Sequence, residues 1–173
     1  GWRSFLALVI VAAAVGGAAG AAVTLLVGDS DDARGTLVHL GPPASLYNVE
    51  QAPFCVELHH FCVVQPEPGR LIALYTYAPH TGFREQGCEV RWKPDMVYPT
   101  DSPNAARGVF MEPCGGSIYD MKGHRLFGPS PTDLDTFPVG VTADATIVDT
   151  RTLVCGKRQG VETHDCQRAP AGD

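Results

Sequence analysis

From Thr36 onward, apolar residues come in short runs separated by turn residues. The runs are TLVHL (36–40), FCVELHHFCVV (54–64), RLIALYTY (70–77), CEVRW (88–92), GVFME (108–112), SIYDM (117–121), HRLF (124–127), FPVGVT (137–142) and ATIVD (145–149). The first four end at GPP, QPEPG, APHTG and KPD, and Gly-containing turns divide the next three. Short runs rich in Val, Ile, Tyr and Phe and closed by Pro or Gly predict strands. Together they predict an all-β domain, a small antiparallel sandwich or barrel. Pro94, Pro99 and Pro103 mark a loop between CEVRW and GVFME. No soluble stretch carries a 3.6-residue period, so no helix is predicted within the domain. The polar tail from Cys155 onward is expected to be irregular.

The pattern before Asp29 is different. Ser4 to Gly28 contains no charged residue and is about 25 residues long. At roughly 1.5 Å per residue, such a helix crosses a hydrocarbon core of about 30 Å with some tilt. Arg3 precedes the segment, and Asp29, Asp31 and Asp32 follow it. Arginine favours the cytoplasmic side, which places the rest of the chain outside. The segment also has features of a cleavable secretory signal, but its apolar run is longer than a usual signal core. The expected organisation is a transmembrane helix (1–28), a tether (29–35), a β domain (36–153) and a tail (154–173).

Composition agrees with this reading. The 173 residues include 19 Gly and 14 Pro, only 18% are charged, and the net charge is −6. A nucleic-acid-binding surface would be strongly basic, so nucleic acid is not an expected partner. The six cysteines, placed outside a membrane, argue for disulfides. Short separations suggest Cys55–Cys62, closing a short hairpin over CVELHHFC, and Cys155–Cys166, which leaves Cys88–Cys114. An alternative for CVELHHFC is a metal site using His59 and His60. Adjacent histidines on a strand point to opposite faces, however, and the spacing departs from common zinc patterns.

The order of several landmarks resembles a Rieske iron–sulfur domain. VHLGPPASL is similar to its opening strand and turn, and GRLIALYTY to the strand that enters the first cluster-binding loop. GCEVRW is similar to the end of that loop, and EPCGGSIYD to the second loop. GHRLFGPSPTDLDTFPV resembles the following hairpin, the proline loop over the cluster and the last strand. The resemblance spans about Thr36 to Leu153, and the N-terminal apolar segment is similar to the anchor of respiratory Rieske subunits.

A Rieske [2Fe–2S] centre takes two Cys and two His. In the family the first loop reads C-x-H-x-x-C and the second C-x-C-H-G-S, with one cysteine of each forming a disulfide between the loops. Aligned on Cys88 and Cys114, the ligand positions fall on Phe83, Glu85, Glu112 and Gly115. All four ligands are replaced, while both disulfide positions remain. Phenylalanine and glycine offer no donor atom, and carboxylates do not supply the soft thiolates of iron–sulfur chemistry. The resemblance therefore implies a degenerate member with no cofactor and no bound cluster. Ser117 and Tyr119 match family residues that hydrogen-bond the cluster sulfurs. The GPSP loop (128–131) is expected to pack on Phe83.

The expected function follows from that resemblance. It is an accessory, structural subunit of a respiratory or photosynthetic electron-transfer complex, with cytochrome or quinol-oxidising subunits and the lipid bilayer as partners. The alternative is an anchored extracytoplasmic module that binds a metal or small ligand, through Glu85 and Glu112 or around His59, His60 and His80. No nucleophile–base signature and no phosphate-binding glycine loop is present, so an enzyme is not expected.

Overall fold

The computed structural model describes residues 35–43, 52–99, 106–157 and 166. The apolar segment 4–28 and nearly all of the tether lie outside these residues. Among the described residues, no helix is long and apolar enough to cross a membrane.

The described strands are β1 (Leu37–Leu40), β2 (Phe54–Val56), β3 (Phe61–Glu67), β4 (Arg70–Tyr75), β5 (Arg91–Tyr98), β6 (Ala106–Met111), β7 (Ile118–Tyr119), β8 (Arg125–Phe127), β9 (Thr136–Phe137), β10 (Val139–Val141) and β11 (Thr146–Asp149). They form three sheets, with strand orders β1-β11-β10, β2-β3-β4-β9 and β5-β6-β7-β8. Every pairing is antiparallel, so the domain is all-β, as the pattern of runs predicts.

The β2-β3-β4-β9 sheet is buried on both faces. Successive side chains on a strand point to opposite sides. Phe61, Val63, Ala73 and Tyr75 face one way and pack with Val38, Leu40, Phe137 and Val148. Cys62, Val64 and Leu74 face the other way and pack with Val90, Phe110, Tyr119 and Leu134. The outer sheets thus cover the two faces of the inner one. A strand covered on both sides reads as a continuous apolar run, which is why FCVV and LIALY do not alternate. Phe61, Val63, Val64 and Leu74 are at most 1% exposed, and burying each contributes roughly 1.5–3 kcal/mol.

Three local features depart from the sequence reading. FCVELHHFCVV forms a hairpin closed by the Cys55–Cys62 disulfide, as expected, but its histidines do not lie on a strand. A 3₁₀ turn, Glu57–His59, joins β2 to β3, and His60 adopts φ 51°. The adjacent histidines therefore lie in a turn, not on a strand. Next, β5 continues through Pro94 to Tyr98, with a register shift between Lys93 and Val97. Proline lacks the ladder N–H, but β5 is an edge strand and tolerates it. Finally, a short helix, α1 (Thr81–Glu85), lies between β4 and β5. One turn of helix is too short to display a period, so the pattern could not reveal it.

Candidate functional site

Two excursions from the sheets meet at one place. The first runs from β4 through α1 to β5. Its base is closed by the Tyr77–Glu89 bridge and by N–H···O bonds from Ala78 to Cys88 (2.8 Å) and from Val90 to Thr76 (2.7 Å). At its tip the His80 carbonyl accepts from the N–H groups of Phe83 (3.0 Å) and Arg84 (2.9 Å). Gly87, at φ 70°, ends the helix and lets the Cys88 N–H turn back to the Phe83 carbonyl at 2.9 Å. The second excursion is the β6–β7 turn, residues 112–117. The Cys88–Cys114 disulfide joins the two excursions, with a Cα separation of 6.4 Å.

Glu112 organises the second turn. It is 1% exposed. Its carboxylate accepts the Cys114 N–H, and the Gly115 N–H lies 2.9 and 3.0 Å from its two oxygens. Its own carbonyl accepts from Gly116 at 2.9 Å. The turn thus wraps its backbone donors around the carboxylate that begins it. Cys88 Sγ lies 2.9 Å from Glu112 Oε1. A disulfide sulfur carries no proton, so this is a packed contact and not a hydrogen bond.

Phe83 and Gly115 share the space between the loops. A Cβ on Gly115 would lie 2.4 Å from Phe83 Cε2 and 2.9 Å from Glu112 Oε2. The aromatic ring thus occupies the volume a side chain at 115 would need. The His80 ring stands against it, with 4.8 Å between centroids. Glu85 is exposed at the end of α1 and does not join the group around Glu112.

Ser117 is fully buried and its Oγ accepts the Ser130 N–H at 3.0 Å. The GPSP loop therefore docks on Ser117. Gly128 permits the approach, because a Cβ there would lie 2.4 Å from Ser117 Cα. The Tyr119 hydroxyl is buried beside Ser117 and Ser130, without hydrogen-bond geometry to either. Burial pushes its pKa up to about 12.

Beneath the loops lies an ion pair that the sequence reading missed. Arg84 is 4% exposed and Asp135 fully buried. The guanidinium donates to Asp135 Oδ2, to the Ala78 carbonyl at 3.0 Å and to the Cys166 carbonyl at 3.0 Å. It also stands over the Tyr75 ring, 5.4 Å from the centroid. Asp135 Oδ1 accepts the Gly156 N–H at 2.7 Å. One side chain of α1 thus fastens the first excursion, the approach to β9 and the C-terminal disulfide loop. No spacing signals a pair so far apart in the chain.

The remaining disulfides join Cys55 to Cys62, which face each other across β2 and β3, and Cys155 to Cys166. His60 is elsewhere: its Nδ1 lies 2.5 Å from Glu89 Oε1, and it lines an open cleft of about 610 Å³ with Glu57, Arg91 and Trp92. Burial and the neighbouring His60 hold the pKa of His59 below its usual value. His59, His60 and His80 form no common ligand cluster among the described residues. There, the one grouping able to hold an ion is Cys88, Glu112 and Cys114, with ligand atoms within 4.8 Å of one another. Two of these three atoms are already bonded to each other. This donor set does not match the two cysteines and two histidines of a [2Fe–2S] centre.

Fold and site together define an all-β domain in which a disulfide, a buried carboxylate and an aromatic ring hold two loops together. Compared with known proteins, the chain matches no protein-family model, and no curated protein matches it.

Proposed function

We propose that this chain is a membrane-anchored, cluster-free Rieske-like subunit with a structural role in a membrane electron-transfer complex. Its domain lies on the extracytoplasmic side, against cytochrome or quinol-oxidising subunits. The observation that carries the reading is how the space between the two loops is filled. Phe83 and Gly115, at two of the four aligned ligand positions, are complementary in shape, with the ring taking the room a larger residue would need. Glu112, at a third, takes the backbone donors of its own turn. The disulfide that the resemblance places between the loops is present. Three antiparallel sheets with both loops at one end are consistent with a Rieske-like domain.

Fold alone does not give function, so the test is of association. The chain should be purified from native membranes in mild detergent, with co-purifying subunits and iron measured in the same sample. Stoichiometric haem or iron–sulfur subunits, with no iron assignable to this chain, are the expected result. Isolation of the chain alone, carrying bound metal, would refute the reading.

A further inference from the structure

The Cys88–Cys114 disulfide is built differently from the other two. Its two residues differ in access, Cys88 being 4% exposed and Cys114 exposed, an asymmetry that Cys55–Cys62 shares, with Cys55 exposed and Cys62 at 3%. Among the described residues, however, it is the only disulfide grouped with a carboxylate, that of Glu112. Glu112 Oε1 lies 2.9 Å from Cys88 Sγ, the buried sulfur. No described lysine or arginine pairs with that carboxylate. Its neighbours are backbone N–H groups and the sulfur itself.

We propose that Cys88–Cys114 is a redox-active disulfide that exchanges with a dithiol, with Glu112 carrying the proton of the buried sulfur. Exchange proceeds by attack of a thiolate on one sulfur of the disulfide, and access selects which sulfur. The thiolate of the incoming dithiol attacks Cys114 Sγ. A new S–S bond forms to Cys114, and the Cys88–Cys114 bond breaks with its electron pair leaving on Cys88 Sγ. A bare thiolate there would face the Glu112 carboxylate, two negative charges in contact within a buried site. As the bond breaks, Cys88 takes up a proton relayed by Glu112, which draws it from solvent past Cys114. The second thiol of the dithiol loses its proton and attacks its own sulfur in the mixed disulfide, releasing Cys114 as a thiolate that takes up a proton. The chain gains two electrons and two protons, and the dithiol loses both. In the reverse direction the Glu112 carboxylate removes the Cys88 thiol proton, so that Cys88 can resolve a mixed disulfide held on Cys114.

This inference does not depend on the membrane-complex reading, and its test needs no partner subunits. The oxidised full-length chain in detergent is treated without oxygen with a small vicinal dithiol and, separately, with a peptide bearing two vicinal cysteines. Differential alkylation and mass spectrometry then follow each cysteine pair. Cys88–Cys114 should be reduced at least about tenfold faster than Cys55–Cys62 and Cys155–Cys166. Cys88→Ser, offered the same peptide in its disulfide form, should accumulate a mixed disulfide on Cys114. Glu112→Gln should slow exchange about 100-fold, within the usual range for general acid–base catalysis, and flatten its pH dependence. If Cys88→Ser fails to fold, the wild-type rates and the Glu112→Gln comparison still decide. Reaction with the peptide alone would identify a polypeptide dithiol as the partner. Reduction of Cys88–Cys114 no faster than the other pairs, or Glu112→Gln reacting as fast as wild type, would overturn the proposal.

Discussion

At the scale of single residues, Gly115 and Phe83 act as one unit. Gly115→Ala places a methyl 2.4 Å from the Phe83 ring, so ring or turn must shift. Overpacking of this kind costs about 1–3 kcal/mol. Phe83→Leu in the same chain should recover part of that loss, which a double-mutant cycle in urea would measure. Tyr119 makes a second case. Its hydroxyl is buried without a hydrogen-bond partner, so Tyr119→Phe should be neutral or stabilising at pH 7. Alkaline pH supplies a separate readout. The folded pKa of Tyr119 is about 12, above the usual value of 10.0. The unfolded chain therefore loses the phenolic proton first as pH rises, and stability falls between about pH 10 and pH 12. Tyr75 behaves alike, also raised to about 12 by burial. In Tyr119→Phe the fall across that window should be shallower. An unchanged slope in chemical denaturation at several alkaline pH values would contradict this.

At the scale of elements, α1 carries more than its five residues suggest. Arg84 reaches three separate parts of the fold from it. Arg84→Ala takes the guanidinium away from the buried Asp135 carboxylate, which should cost about 3–5 kcal/mol. Arg84→Met with Asp135→Leu should restore much of the loss, although the Gly156 N–H loses its acceptor and the Ala78 and Cys166 carbonyls lose their donor. Equal destabilisation of the single and double variants in denaturant unfolding would refute this account. Such elements also mark how far the sequence was legible. Runs such as TIVD and LVHL could be read as strands because β-branched residues and turn residues bound them. CVELHHFC could be read as a hairpin from its cysteine spacing, but the place of its turn could not, because the αL residue there is His60 and not glycine. Pro94 looked like a strand end because an edge position is known only once the sheet is assembled. At the site, the spacing of the cysteines pointed to the observed disulfide pairs. The fit of Phe83 to Gly115 and the bond of Arg84 to Asp135 depend on contacts between segments far apart in the chain.

At the scale of the whole molecule, the doubly covered inner sheet means that the β domain carries its own core. The proposed anchor is then separable from it. A chain lacking residues 1–28 should leave the membrane fraction, keep three disulfides and unfold at the same temperature as the full chain. Retention in membranes after that deletion would place the attachment elsewhere. The closing strand pair has a different kind of consequence. Leu37 of β1 faces Asp149 of β11. At a synthesis rate of about 5–20 residues per second, roughly 6–22 s separate their emergence from the ribosome. The segment nearest the proposed anchor is thus made early and paired late. The anchor can engage a translocation machinery while β1 still waits for its partner, so the chain can cross a membrane before its last sheet closes.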